Sequence, residues 1–467
     1  MFENILGQEA VFRLAEDIRR NILAPSMLFT GPRGTGKGTA ALELGRVLSC
    51  ENTDPVKAWK CSCPACRHHR FLYHPDLLAL GSRSFSSEIT AAAVAFAACP
   101  SESPARTFYI RAVRKLILRF SPVLWEDEPK AGKFAQVLID LEGALDEIIA
   151  WHEEGAASRK DAAWVEKIGK SISKNVLNLV AEGITDFIPV AQIRRAAYWS
   201  RLAPQGKRKL LLIENADRMQ DASRNALLKI LEEPPGDVII VLTTAHRDAL
   251  LPTILSRLRP YRFCVRPPET EKEVLRRIFR FDTVREKAAG AAEILDVSGV
   301  ELSINDYMDS FLPISGETLY PLAAFFAASA ACLGASSLLR AGLSNLPPEL
   351  EVLKQYASSI AEKSGLECSV VDTGSSVAAI LKGAEDFKPS GLFIRFFEFL
   401  LGIVSSSLRC APPSPGVAVF ADIWREAASE AVLAVETYNQ APALVLDRLY
   451  TELTRRLTAL YRPSVGL

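Results

Sequence analysis

The stretch Met27 to Gly45, MLFTGPRGTGKGTAALELG, narrows the possible folds more than any other part of this chain. A short apolar run ends in a turn containing Gly31, Gly34 and Gly36, and the turn opens at once onto a helical pattern from Lys37. Glycines let the backbone approach a ligand closely, and the first turn of a helix leaves its N–H groups unpaired. Strand, glycine turn and helix N-terminus in that order therefore cradle an anion, and Lys37 adds the charge that neutralises phosphate oxygens. The next position departs from this pattern. Gly38 stands where Ser or Thr ordinarily offers a hydroxyl to the magnesium ion of a bound nucleotide, and Thr39, one residue later, could supply that oxygen instead. A nucleotide-binding loop is expected, with a ligand-free glycine turn as the alternative.

A second region, residues 188–263, repeats the alternation of strand and helix. Leu210–Ile213 is wholly apolar and DVIIVLTTA (Asp237–Ala245) holds an apolar run from Val238 to Leu242, the two separated by a helical pattern. Such strands belong to a parallel sheet covered on both faces, so an α/β domain is expected. Between the two regions, residues 82–186 show helical periodicity and few turn signals, which suggests a helical insertion. Beyond Arg266 the pattern is almost all helical, with breaks at Pro347–Pro348 and APPSPG (Ala411–Gly416).

The 55 basic residues balance the 55 acidic ones, so no whole-chain field draws the protein onto nucleic acid. MFENILGQEAVFRLAEDIRR carries acidic residues and no apolar run, unlike a secretion signal, and a cytoplasmic location is expected. PLAAFFAASAACLGASSLL (Pro321–Leu339) is uncharged over nearly a membrane-spanning length. Its weight is Ala and Ser, so we expect a buried helix and no membrane contact. In a reducing compartment, the grouped Cys50, Cys61, Cys63 and Cys66 suggest metal rather than disulfides.

The stretch Leu210 to Pro235, LLLIENADRMQDASRNALLKILEEPP, contains the most specific string, Asn225-Ala-Leu-Leu-Lys229-Ile-Leu-Glu-Glu-Pro-Pro. It resembles the corresponding block of bacterial DNA polymerase III clamp-loader subunits, the gamma/tau and delta-prime AAA+ proteins. ILGQEAV (Ile5–Val11) is similar to their N-terminal segment near the adenine. TTAHRDALLPTILSRLRPYRF is similar to their sensor-1 strand and the helix that follows. The cysteines with HPDLLAL (His74–Leu80) resemble their zinc module, especially its delta-prime form. The resemblance covers about residues 1–80 and 186–265. It implies a P-loop AAA+ domain over 1–265, with a zinc module at about 50–76 and the helical insertion at about 82–186. A helical lid over 266–345 and a helical collar over 346–467 would follow.

In members of this family that hydrolyse ATP, the second strand ends in Asp-Glu, the Asp organising magnesium and the Glu activating water. Here those positions read Glu214 and Asn215, and Asn215 is neutral and takes no proton from water. The resemblance implies an ATP site at Gly31, Gly34, Gly36, Lys37, Gly38, Thr39, Glu214 and Asn215, with Thr243 in the sensor-1 place and Mg2+ accompanying the nucleotide. Unaided hydrolysis is expected to be weak or absent; compensation by Glu214 or Asp217 is the alternative. Arg257, in Ser256-Arg257-Leu258, matches the arginine finger that acts in trans on a neighbouring subunit's ATP. The alternative is a surface arginine at a helix end. Four thiolates suffice for one structural Zn2+. The family usually spaces the last three as CxxCxxC, however, and here Cys61 and Cys63 are one residue closer. His68, His69 or His74 could replace one ligand, and free buried thiols are the alternative.

The partners implied are gamma/tau and delta subunits in a hetero-oligomeric ring, the sliding clamp, and primer-template DNA through the complex. AVLAVETYNQAPALVLDRLYTELTRRL near the C-terminus is similar to the closing helices of the collar. YIRAVRKLILRF (Tyr109–Phe120) is amphipathic, with Arg111, Arg114, Lys115 and Arg119 on a polar side. It is read as a solvated face, with DNA phosphates or an acidic partner as the alternative. The expected function is delta-prime-like; a gamma/tau-like motor is the first alternative. The second is a nucleoside monophosphate kinase, because GPRGTGKGT is similar to the adenylate kinase loop, although no monophosphate site or lid follows it.

Overall fold

The computed structural model describes residues 1–53, 57–81, 85–154, 162–185, 187–287, 302–311, 316–366, 377, 389–412, 415–436 and 440–461. Residues 82–84 and 186, where the expected insertion begins and ends, lie outside the described residues, as do 413–414 in the second break. The described chain divides into two compact units, 1–311 and 312–467, so the boundary falls within the region expected as a lid.

Five parallel strands organise the first unit. They are β1 (Ser26–Thr30), β2 (Leu77–Leu80), β3 (Lys209–Ile213), β4 (Val238–Thr244) and β5 (Arg259–Arg262), in the order β2-β3-β4-β1-β5. Successive side chains of a strand point to opposite faces, and here both faces are apolar. Met27, Phe29, Leu210, Leu212 and Val241 enter one core; Leu28, Leu211, Ile213, Ile240 and Leu242 enter the other. The helices Glu9–Arg19 and Lys37–Ser49 cover the first face through Leu14, Ala40, Ala41 and Leu44. Val190–Arg201 and Asp221–Glu232 cover the second through Ile193, Trp199, Leu227 and Ile230. The specific string at Asn225 is thus partly a packing pattern, with apolar residues at helical spacing.

Strand register sets the working edge. Thr30 pairs with Thr244 and Ile213 with Leu242, so β1, β3 and β4 end nearly level. Loops beyond the carboxyl ends of parallel strands are where such sheets bind ligands. Between β2 and the helix Val190–Arg201, the helices Ser86–Ala98, Ser103–Ile117, Ala131–Glu154 and Ala162–Gly183 have a core of their own around Phe96, Tyr109, Leu145 and Ile172. The helices Pro268–Arg277 and Ile304–Asp309 share a smaller core at Val274, Leu275 and Tyr307.

The second unit is helical: Gly316–Arg340, Pro348–Lys363, Pro389–Cys410, Pro415–Glu436 and Pro442–Tyr461. One described helix, Thr318–Arg340, is long and apolar enough to cross a membrane, yet 72% of its most apolar window is buried inside the protein. Its run of Ala323, Ala324, Ala327, Ala328, Ala330 and Ala331 lies in the core with Phe393, Phe396 and Trp424. Small side chains let neighbouring helices approach closely, which explains the Ala-rich composition.

Candidate functional site

The loop after β1 needs glycine for space as well as for torsion. Gly31 has φ +145°, and a Cβ there would lie 2.0 Å from the Phe263 carbonyl oxygen. Gly36 has φ +91°, and its Cβ would meet the Arg266 guanidinium at 2.9 Å. Lys37 begins the following helix and folds back, its Nζ donating to the carbonyl oxygens of Gly31 at 2.6 Å and Pro32 at 2.7 Å. Burial lowers the Lys37 ammonium to about 8, against the opposing pull of Asp217 and Glu214. A desolvated cation held by weak carbonyl acceptors gains most from an incoming anion. Gly38 brings no hydroxyl. Thr39 lines a cavity of about 460 Å³ together with Ile5, Gly34, Gly36 and Ile304.

Arg266, which sequence reasoning passed over, braces this loop. It donates to the Leu6 carbonyl at 2.8 Å and to those of Gly34 and Thr35 at 2.9 Å each. Asn305 donates to the Arg33 carbonyl at 3.3 Å, and the Arg33 guanidinium lies 3.2 Å from the Asp309 carboxylate. No local sequence signal marks these residues, because their role arises where Arg266, Asn305 and Asp309, distant in sequence, meet the loop.

Register places Glu214 beside Thr243, since Ile213 pairs with Leu242. Asn215 has φ +51° and donates its backbone N–H to the Thr243 hydroxyl at 3.4 Å. Thr244 donates to the Asp217 carboxylate at 2.5 Å, so Asp217 is held at the ends of β3 and β4. Glu214 itself is buried and forms an ion pair with Arg119, which is also buried. Arg119 comes from a 3-10 turn, Leu118–Phe120, that follows the helix Ser103–Ile117.

The residues present suit a nucleotide's phosphates but not its magnesium ion. The loop offers N–H groups, glycine clearance and Lys37. On the metal side, Gly38 lacks the hydroxyl, and Glu214, in the place of the magnesium-organising acid, is paired with Arg119, while Asp217 accepts a hydrogen bond from Thr244. The expectation of Mg2+ beside Glu214 therefore meets a guanidinium.

Arg257 lies away from these groups in the chain's own packing. It follows the short helix Pro252–Leu255, donates to the Thr253 carbonyl at 2.7 Å, and donates to the Glu232 carboxylate at 2.9 Å. Its side chain stays partly exposed, whereas Leu258 beside it is buried in the core.

The cysteines converge despite their irregular spacing. The Sγ atoms of Cys50, Cys61, Cys63 and Cys66 all lie within 4.8 Å of one another. Those of Cys50 and Cys61 are 3.8 Å apart, close to the edge of a tetrahedron whose zinc–sulfur bonds are about 2.3 Å. Burial opposes ionisation of the Cys63 thiol, but the backbone N–H groups of Glu51 and Cys66 bring it down to about 7. Arg46 donates to the Cys66 sulfur at 3.1 Å and to both oxygens of Glu43 through its other nitrogens. Burial pushes the Cys50 and Cys66 thiols up, and the four sulfurs, with a cation at their edge, fit one tetrahedral metal ion that would hold them as thiolates. The histidines stand apart: His69 meets the Ser49 hydroxyl at 2.9 Å and stacks on His74 at 4.1 Å.

The family profile described as DNA polymerase III, delta subunit, matches residues 7–120 and 145–266, half of the chain. The chain belongs to this family, the clamp-loader subunits of DNA polymerase III. It is 36% identical over 87 residues to DNA polymerase III subunit gamma/tau of Mycobacterium tuberculosis, covering 19% of this chain and 15% of that one. It is 44% identical over 71 residues to subunit delta' of Pseudomonas aeruginosa, covering 15% and 22% of the two chains. The delta' subunit of Bacillus subtilis is 34% identical over 110 residues, 23% and 32% of the two chains. These matches span less than a third of each relative's length. Among solved structures, a DNA polymerase III gamma subunit-related protein of Thermotoga maritima is 24% identical, covering 59% of this chain and 81% of that one, with a TM-score of 0.26.

In this clamp-loader family member, one sequence expectation is overturned. The polar side of Tyr109–Phe120 is not a solvated face. Arg111 donates to the carbonyls of His69 and Arg70, Arg114 pairs with Glu142 and Asp146, Lys115 with Glu88, and Arg119 with Glu214. Amphipathic spacing reports a polar stripe, and the stripe here faces charged neighbours that fold over it.

Proposed function

We propose that this chain is a delta-prime-type subunit of the clamp loader. Its loop holds ATP without hydrolysing it efficiently, and Arg257 is its catalytic contribution, made in trans to the ATP of a neighbouring gamma-type subunit. Assembled with gamma/tau and delta subunits in the cytoplasm, it takes part in opening the sliding clamp and loading it on primer-template DNA. Zn2+ at Cys50, Cys61, Cys63 and Cys66 has a structural role.

The observation that carries this reading is the contrast between the two ends of the chemistry. At the chain's own loop, Asn215 stands in the place of the water-activating acid and Glu214 is paired with Arg119. Arg257, by comparison, is partly exposed and aimed by a carboxylate on the surface. A gamma/tau-like motor would need an acid free to take a proton from water. Among the described residues at the sheet edge, Asp217 accepts a hydrogen bond from Thr244 instead.

Reconstitution tests the proposal. A loader assembled with Arg257→Ala is expected to lose about a hundredfold or more in ATPase, the scale of an arginine finger, while the subunit's thermal unfolding stays unchanged. An unaltered ATPase would remove the finger role. Fast ATP turnover by the isolated chain, abolished by Lys37→Ala, would establish the motor reading instead.

A further inference from the structure

We infer that Arg119 is the resident cation of Glu214, the acid at the end of β3, so that this subunit retains nucleotide without a divalent ion, and that the helical insertion exists in part to deliver it. The inference rests on the reading of the Lys37 loop as a nucleotide site.

Arg119 is placed with little freedom. The turn Leu118–Phe120 packs against β2, the strand beside β3, and Trp125 donates its indole N–H to the Arg119 carbonyl at 2.7 Å. Trp125 also stacks on Phe120 with ring centroids 5.4 Å apart, and the Arg119 guanidinium lies 5.6 Å from the Phe85 ring. Glu214 is anchored just as closely. Its backbone N–H donates to the Leu80 carbonyl at 2.9 Å, and a Cβ at Gly81 would come within 2.1 Å of its carbonyl oxygen. Arg119 is 5% exposed and Glu214 is 7% exposed, so neither charge has bulk water to fall back on.

A guanidinium cannot release its proton in a protein, so this charge is permanent. A divalent cation at Glu214 would have to sit beside it or displace it, and displacement takes a buried cation from its carboxylate. Gly38 offers the ion no hydroxyl in compensation. Lys37 remains free to meet the phosphates, because its acceptors are carbonyl oxygens of Gly31 and Pro32 rather than a carboxylate.

The test measures the affinity of the isolated full chain for a fluorescent ATP analogue, with excess Mg2+ and with excess EDTA. The wild-type chain is expected to show the same affinity in both. Arg119→Met should bind the analogue about tenfold more tightly with Mg2+ than with EDTA, a difference of about 1.4 kcal/mol. Arg119→Lys, which keeps a cation, should stay indifferent to the metal. A wild-type affinity that rises tenfold with Mg2+ overturns the inference, as does a folded Arg119→Met chain that ignores the metal. Should Arg119→Met fail to unfold cooperatively, the wild-type comparison decides by itself. If no variant binds the analogue under either condition, the nucleotide site itself is absent and the inference falls with it. That result leaves the role of Arg257 standing, since the finger is read in the assembled loader.

Discussion

The Glu232 carboxylate lies 2.9 Å from the Arg257 guanidinium, joining the last turn of the helix Asp221–Glu232 to the end of the helix Pro252–Leu255. Both side chains keep substantial exposure, so the pair contributes little to stability, about 0–1 kcal/mol. Its consequence is directional: the carboxylate favours one orientation of Arg257 at the surface. Glu232→Gln should leave the thermal midpoint nearly unchanged and lower the ATPase of the reconstituted loader several-fold, less than Arg257→Ala does. Equal activity with and without the Glu232 carboxylate would show that Arg257 needs no positioning.

Lys37 sets a pH limit on nucleotide binding. Burial brings its ammonium from 10.5 to about 8 in the free chain, and bound phosphates favour the protonated form. The nucleotide-bound value is therefore the higher one, so affinity is full below pH 8 and falls as the pH rises through it. One linked proton gives at most about a tenfold loss per pH unit. Titration calorimetry at several pH values should show this decline, and Lys37→Met should bind weakly with a flat profile. A wild-type affinity constant from pH 7 to 10 would contradict it.

The cysteine cluster should carry about one zinc per chain, with all four thiolates as ligands. Cys66→Ser is expected to lose the metal and to loosen residues 46–70 while the parallel sheet persists, which hydrogen exchange can resolve. Arg46→Met should cost about 3–5 kcal/mol, because it leaves the Glu43 carboxylate buried without its partner. Elemental analysis finding no metal in protein prepared without chelator would reject the site.

Glycine clearance gives a further check on the loop. Gly36→Ala combines a φ of +91° with a Cβ at 2.9 Å from the Arg266 guanidinium. The substitution should push Arg266 off the Gly34 and Thr35 carbonyls and weaken binding of an ATP analogue by about tenfold or more. It should leave the sheet intact, since Gly36 lies outside both sheet cores. Wild-type affinity in this variant would mean that the loop does not need its bracing.

The parts legible in the sequence were those built from local rules. Apolar runs at Met27–Phe29 and Leu210–Ile213 name buried strands, because a strand covered on both faces has no polar side to show. The glycines before Lys37 name a tight turn, since their torsions are disfavoured for other residues. Family resemblance then singled out Glu214, Asn215 and Arg257 as expected site residues. What the tertiary structure decided is which charges meet. Arg119 and Glu214 are 95 residues apart, and Arg266 is 232 residues from Gly34. A charged residue's helical position tells only which way it points, not what folds against it. Gly38 and Asn215 already marked the loop as short of a hydroxyl and an acid. Only the folded chain sets a guanidinium against Glu214, because burying that acid requires a countercharge and the insertion brings it there.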